Sequence, residues 1–195
     1  MKQVGFLGGT FDPLHFGHLH LAIQLMERRS LDEVWLCPAQ ANPFKAQPPI
    51  ASPEQRLKML QLAIEGIPGL KSIDTELQRP GPSYTIDTIR ILQTAHKDCS
   101  FRLLLGDDAL PFLGQWKEIR ELVALAPPLI GMRSRSLAFA NNSPELMQLL
   151  QSSIVLMPVI EITATEVRTR LASRRSCVPW VPSKVLDFID AYELY

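Results

Sequence analysis

Residues 4–29, VGFLGGTFDPLHFGHLHLAIQLMERR, decide how the rest of the chain is read. The aliphatic run 4–7 lacks polar alternation, as in a strand buried on both faces. Over 17–29 apolar residues recur at three- and four-residue steps, the period of an amphipathic helix. Between them Gly8-Gly9-Thr10-Phe11-Asp12-Pro13-Leu14-His15-Phe16-Gly17-His18 forms the turn from strand to helix. Its two leading glycines lack the Cβ atoms that would hold a phosphate off the backbone. The helix start that follows presents free N–H groups and a positive dipole end to an anion. His15 and His18, three apart, are expected to aim their imidazoles from one face at one point, with Gly17 leaving room for the anion. His20 points elsewhere and reads as a packing or surface residue. The string is neither the GxGxxG of a dinucleotide fold nor the GxxxxGK[ST] of a P-loop. No third ligand stands at a clear metal spacing, so hydrogen bonding to phosphate is preferred to a metal site.

The same alternation runs outward to the end of the chain. Strands are predicted over 34–37, 70–74, 101–105, 129–132 and 154–157, and helices over 53–64, 86–96, 116–125 and 144–150. Strands and helices in turn imply right-handed βαβ units and a doubly wound parallel α/β sheet. Ser52-Pro53-Glu54-Gln55 offers a cap, a first-turn proline and a capping-box glutamine. Two further helical patterns, 165–172 and 183–194, follow the last strand with no strand between them and predict a small C-terminal helical cap. Residues 39–52 form a proline-rich connection longer than an ordinary βα loop, and connections of that length are usually functional. No repeat or composition shift marks a second domain, so a single domain over 1–195 is expected, with 160–195 as its helical subregion.

Composition narrows the function. Twenty Lys+Arg balance twenty Asp+Glu, so no broad field steers the chain onto nucleic acid or a membrane surface. Apolar residues make up 46% and charged residues 21%, enough to bury a sizeable core. No run of about eighteen apolar residues is present, and the first apolar run stops at Leu7, too short for a secretory signal. Cys37, Cys99 and Cys177 are odd in number and show no zinc spacing, which fits a reducing, cytoplasmic setting.

The segment Gly9-Thr10-Phe11-Asp12-Pro13-Leu14-His15-Phe16-Gly17-His18 resembles the GxFxPxHxGH signature of the nucleotidyltransferase superfamily related to class I aminoacyl-tRNA synthetases. Over its full length the chain resembles the bacterial nicotinate-nucleotide adenylyltransferases. The likeness runs through Arg56-Leu57-Lys58-Met59, Pro82-Ser83-Tyr84-Thr85-Ile86-Asp87-Thr88 and Gly106-Asp107-Asp108-Ala109, with Trp116 eight residues after Asp108. Ile162-Thr163-Ala164-Thr165-Glu166-Val167-Arg168 is similar to the family's ISxTxIR, and Leu194-Tyr195 closes the match. The resemblance implies a Rossmann-like nucleotidyltransferase that moves the adenylyl group of ATP to nicotinic acid mononucleotide, releasing pyrophosphate, in NAD biosynthesis. It implies Mg²⁺ carried on the ATP phosphates and not held in a protein cage.

Site residues follow from the same likeness. His15, His18 and Arg168 are the expected catalytic groups. Gly8, Gly9, Thr10, Phe11, Gly106, Asp108, Thr163 and Thr165 are expected at ATP. Lys45, Tyr84, Thr85, Trp116 and Arg133 are expected at the mononucleotide. The residues themselves support several of these roles. A hydroxyl at Thr165 can cap a helix, and the Arg168 fork can take two phosphate oxygens. Trp116 at a helix entrance can offer its face to a pyridinium, and Thr85 heads a helix whose N–H groups suit a carboxylate. Trp35, inside its strand, reads as core. The sequence departs from common family forms at Phe44, Thr163 and Ala164, which bears on the phosphate contacts. Two other readings stand beside this one: another small nucleotidyltransferase of the phosphopantetheine or cytidylyl type, and a nucleotide-binding module without turnover.

Overall fold

A computed structural model describes residues 1–45, 47–132, 144–158 and 160–195. In chain order the elements are β1 (Lys2–Gly9), α1 (Phe16–Arg28), β2 (Glu33–Pro38), α2 (Pro53–Ile64), β3 (Leu70–Ser72), α3 (Thr85–Ala95) and β4 (Cys99–Gly106). A 3-10 stretch, Asp107–Gln115, comes next, followed by α4 (Ile119–Leu125), β5 (Pro128–Met132), α5 (Pro144–Gln151), β6 (Ile154–Leu156), α6 (Ala164–Ala172) and α7 (Ser183–Ala191). The strands form one six-stranded sheet in the order β3-β2-β1-β4-β5-β6. The pairs β1–β4, β4–β5 and β5–β6 are parallel, the doubly wound α/β arrangement expected from the sequence. In this order the chain doubles back at β1 and β4, and ligands of such sheets bind outside the carboxyl ends of the strands where the order reverses. The segment 8–18 begins at the carboxyl end of β1.

Residues divide into two compact units. The first comprises Met1–Leu7, Leu21–Trp35 and Tyr84–Val159. Its centre is β4, whose Phe101, Leu103, Leu104 and Leu105 are buried. Trp35 is core as expected, its ring edge-on to His96 and Phe101 at 4.8 and 5.5 Å, with its indole N–H donated to Glu33. Gly106 and Gly131 face each other in the β4–β5 register, and both lie under Leu21 of α1. A Cβ on Gly131 would come within 2.5 Å of Leu21, so this pair of glycines lets the helix sit close on the sheet.

The second unit comprises Gly8–His20, Leu36–Ser83 and Ile160–Tyr195. Here α2 starts as the sequence predicts: Ser52 accepts from the Gln55 amide, Gln55 accepts from the Ser52 amide, and Pro53 fills the first turn. Its inner face, Arg56, Met59, Leu60, Ala63 and Ile64, is buried, and it packs on β3 and α7. α6 and α7 follow with no strand between them.

Several element ends shift by one or two residues, and three boundaries differ for an identifiable local reason. Trp116 does not open a helix. Asp107–Gln115 is a 3-10 stretch interrupted by Pro111, Trp116 closes it, and Glu118 takes a left-handed φ of 51° before α4 begins at Ile119. β3 stops at Ser72 because Asp74 turns the chain, its carbonyl accepting from Leu77 and Gln78. α7 ends at Ala191, and Glu193 at φ 50° ends its continuation.

Candidate active site

The second unit holds the glycine–histidine segment. Gly9 accepts the Ala39 amide at 2.8 Å, which joins the end of β1 to the start of the proline-rich connection. Phe11, at a left-handed φ of 49°, folds its buried ring back beneath Gly9, where a Cβ would meet the ring at 2.9 Å. Gly9 is thus required by Phe11. Arg56, 1% exposed, donates to the carbonyls of Thr10, Ala39 and Ala51 at 2.9, 2.6 and 3.3 Å. One guanidinium therefore ties the segment to both ends of the 39–52 connection. Asp12 makes the same junction with opposite polarity: its buried carboxylate accepts from the Ile50 and Ala51 amides and from the Tyr195 hydroxyl.

On this frame His15 and His18 stack, ring centroids 3.7 Å apart and planes inclined by 25°, so the expected convergence of the two imidazoles is met. His15 directly precedes α1, and its carbonyl accepts the His18 amide. In return the His15 amide donates to His18 Nδ1 at 3.3 Å, half of a capping box built with imidazole. An acceptor at Nδ1 places the ring proton on Nε2 of neutral His18. The Phe11 ring meets His18 edge-on at 5.1 Å and fixes its tilt. Burial holds His15 down to about 4, and burial, then the neighbouring His15, then Lys45 hold His18 well below the ordinary histidine value. Both rings are neutral at pH 7 and offer N–H donors, not cations.

Gly17 makes room for the His15 ring, since a Cβ there would sit 3.0 Å from His15 Nδ1. His15 Nδ1 and Thr10 Oγ1 are buried with no hydrogen-bond partner among the described residues. Orphaned polar atoms are costly, and two in one segment beside a helix start suit a site that a polar ligand completes.

Arg168 reaches the same segment from α6. It donates to the Asp12 carbonyl at 2.7 Å and to Thr165 Oγ1 at 3.2 Å, and its side chain is 25% exposed. Two of its five N–H donors make these bonds and set the tilt of the fork. Thr165 does not cap α6. That role falls to Thr163, whose hydroxyl accepts the Glu166 amide, while Thr165 sits in the first turn and steadies Arg168. Lys45 is exposed on the 39–52 connection, close enough to His18 for its charge to oppose protonation there. Gly8 is exposed at the end of β1.

In the first unit, Thr85 is the first residue of α3, as predicted, and first-turn amides have no intrahelical acceptor. Lys117 stands 4.9 Å over the Tyr84 ring and is bound to Asp87 at 2.9 Å. The stretches 82–85 and 113–116 hold no cation, but the next residue, Lys117, stands over Tyr84 with its charge already paired to Asp87. Trp116 is half-buried. Asp108 is exposed, and its carboxylate lies where a Cβ on Gly106 would come within 2.5 Å, so glycine at 106 lets Asp108 fold back over the end of β4. Arg133 lies outside the described residues.

The sequence reading assigned no role to Arg56, to the Asp12 carboxylate or to the Tyr195 hydroxyl. A signal for Arg56 was available: it occupies the helical face defined by Met59, Leu60 and Ala63, where only apolar residues are expected. Among the described residues no group of three or more His, Cys, Asp or Glu side chains is placed to hold a metal. The one carboxylate in the histidine segment, Asp12, is already filled by three donors. Neutral imidazoles, an arginine and amides are groups suited to phosphate oxygens.

The chain matches the cytidylyltransferase-like family model over residues 6–170. It is 39% identical over 196 residues to the probable nicotinate-nucleotide adenylyltransferase of Halalkalibacterium halodurans, covering 100% of this chain and 92% of the relative. The corresponding protein of Oceanobacillus iheyensis is 34% identical over 195 residues, covering 100% and 97%. Among solved structures, nicotinic acid mononucleotide adenylyltransferase of Plasmodium falciparum complexed with NaAD superposes with a TM-score of 0.79 at 18% identity, over 98% of this chain and 96% of that one.

Proposed function

The chain belongs to the cytidylyltransferase-like family and, within it, to the nicotinate-nucleotide adenylyltransferases, and on that premise we propose that it transfers the adenylyl group of ATP to nicotinic acid mononucleotide. The products are nicotinic acid adenine dinucleotide and pyrophosphate, a step of NAD biosynthesis. The observation that carries this reading is the stacked, neutral His15–His18 pair, with His18 Nδ1 satisfied by the His15 amide and its proton on Nε2.

A 5′-phosphate oxygen of the mononucleotide attacks the α-phosphorus of ATP in line. The bond from that phosphorus to the bridging oxygen breaks, and pyrophosphate leaves with the electron pair. A phosphate monoester is already anionic, so no protein base is needed, and the work left to the chain is positioning and charge stabilisation. In this scheme the His18 Nε2–H donates to the triphosphate, and His15 stacks behind it and adds a donor. Arg168 supplies the fixed positive charge. Gly8, Gly9, Thr10 and the backbone at Phe11 line the nucleotide, together with Gly106, Asp108, Thr163 and Thr165. Trp116 stacks on the pyridine ring, the α3 start at Thr85 meets the carboxylate, and Tyr84, Lys45 and Arg133 complete the mononucleotide's partners. Mg²⁺ carried on the ATP phosphates would supply charge neutralisation there without a protein cage. We assign residues 1–195 to one nucleotidyltransferase domain. The three buried free thiols suit a reducing cytoplasm, and no helix of the described residues is long and apolar enough to cross a membrane.

The test is pyrophosphate release with ATP and magnesium against nicotinic acid mononucleotide, nicotinamide mononucleotide and phosphopantetheine, with CTP replacing ATP in a parallel series. The acid mononucleotide with ATP is expected to turn over fastest. Faster release with phosphopantetheine or with CTP would overturn the assignment, and no release with any pair would favour a binding module.

A further inference from the structure

Asp12 and Arg168 stand in an unusual relation. Arg168 Nη1 donates to the main-chain carbonyl of Asp12 at 2.7 Å, yet it remains 3.9 Å from Asp12 Oδ2, too far for a hydrogen bond. A buried carboxylate beside a guanidinium ordinarily closes into a forked pair at about 2.7–2.9 Å. Here the carboxylate, 4% exposed, is occupied from the other side. Oδ2 accepts the Ile50 amide at 2.9 Å, and Oδ1 accepts the Ala51 amide at 3.1 Å and the Tyr195 hydroxyl at 2.6 Å. These three donors fix the rotation of the carboxylate about its Cβ–Cγ bond and leave only the edge of Oδ2 toward Arg168.

We infer that Tyr195 is a positioning residue for the reaction: its hydroxyl holds the Asp12 carboxylate away from Arg168, so that the guanidinium keeps its charge and remaining N–H donors for the phosphates of ATP. Two of the three restraining donors are main-chain amides, and only the Tyr195 hydroxyl is a side chain. It is also the shortest of the three bonds. Burial, then the hydrogen bond to Asp12, raises the Tyr195 phenol above its ordinary range, so it stays a donor at every pH at which the protein works. Without that hydroxyl Oδ1 loses a donor, and Arg168 Nη1 already stands 3.9 Å from Oδ2. The carboxylate then turns toward the guanidinium, the pair closes, and the cation is neutralised where the triphosphate needs it.

This inference rests on the proposed role of Arg168 at the ATP phosphates, and the experiment separates the two. Tyr195→Phe keeps the ring and removes only the oxygen. It is expected to lower kcat/KM for ATP by about ten- to fiftyfold, less than the loss of a whole preorganised donor because Arg168 itself remains. The KM for nicotinic acid mononucleotide should move less than about threefold, a split that general loosening of the fold would not produce. In an Arg168→Lys background, where the fork is already gone, the same substitution should cost less than about twofold. Binding of inorganic tripolyphosphate to the full chain, measured by calorimetry at low temperature, should weaken by about tenfold in Tyr195→Phe and supplies a readout should the variant lose stability at assay temperature. A Tyr195→Phe enzyme with the parent's kcat/KM and tripolyphosphate affinity, or an equal penalty in both backgrounds, would overturn the positioning role. Arg168→Lys at parental activity would instead withdraw the role of Arg168 itself.

Discussion

Replacing Arg56 by Met tests how the catalytic segment is held. Met keeps the apolar stem of a side chain that is 1% exposed and removes the donors to Thr10, Ala39 and Ala51. Two of those bonds are short, at 2.9 and 2.6 Å, and one is long, at 3.3 Å. Hydrogen bonds to a charged donor contribute about 1.5–3 kcal/mol each, so the two short ones alone amount to roughly 3–6 kcal/mol. Burial of the guanidinium opposes this and shows as a lowered pKa, with Asp12 and Tyr195 acting the other way. Measured truncations of buried charged partners cost about 3–5 kcal/mol, and that is the expected net effect. For a chain of this length each kcal/mol lowers Tm by about 2–4 °C, which predicts a fall of roughly 6–20 °C by calorimetry. Arg56→Lys reaches at most one carbonyl at good geometry and should fall between. Turnover measured well below the midpoint should also drop, because the 39–52 connection loses its anchor at both ends. An Arg56→Met protein that melts within about 3 °C of the parent would refute the idea that this guanidinium carries the junction.

Other expectations follow from the same geometry. His18→Ala should cut kcat by about a hundredfold, the usual loss for one preorganised donor, with little change in mononucleotide KM; steady-state kinetics with an unchanged kcat would remove His18 from the reaction. His15 is depressed to about 4 in the folded chain, so between its unfolded value of about 6.5 and pH 4 the unfolded state binds the extra proton, and stability falls as pH falls through that window. Unfolding free energies from urea titrations at pH 7.5 and pH 5 should differ by about 2 kcal/mol more in the parent than in His15→Gln, and equal differences would count against the buried neutral ring. Trp116→Ala should weaken the acid and amide mononucleotides alike and keep the ratio of their kcat/KM values within about threefold, since stacking does not read the carboxylate; a collapsed ratio would transfer specificity to the indole.

Much of this architecture was legible because its period is local. The runs at 4–7, 101–105 and 129–132 are strands buried on both faces and carry no competing pattern, and α2 spans 53–64 as its capping signals predicted. The His15–His18 convergence could be read too, since a three-residue step at a helix start fixes two side chains on one face. What escaped the sequence depends on contacts far apart along the chain. Asp12 meets Ile50, Ala51, Arg168 and Tyr195, and no short window contains any of those pairs. The place of Trp116 was misread for a different reason: 116–125 has helical spacing, but Glu118 takes a left-handed φ, so the helix waits until Ile119. At Gly17 the need for space was read correctly, and its occupant turned out to be an imidazole of the same chain.

The bond between Asp12 and Tyr195 spans 183 positions, and this sets a schedule for biosynthesis. At about 5–20 residues per second a ribosome needs roughly ten to forty seconds to travel from one partner to the other. Through that interval the nascent chain can already pair β1 with β4, while its aspartate lacks the last of its donors. A pool of stalled or prematurely released chains lacking the tyrosine would thus carry the sheet and the histidine pair with an unguarded carboxylate beside Arg168. Such chains would be weakened enzymes that fold normally by circular dichroism, and pulse-labelling followed by activity measurement would find full activity appearing after secondary structure.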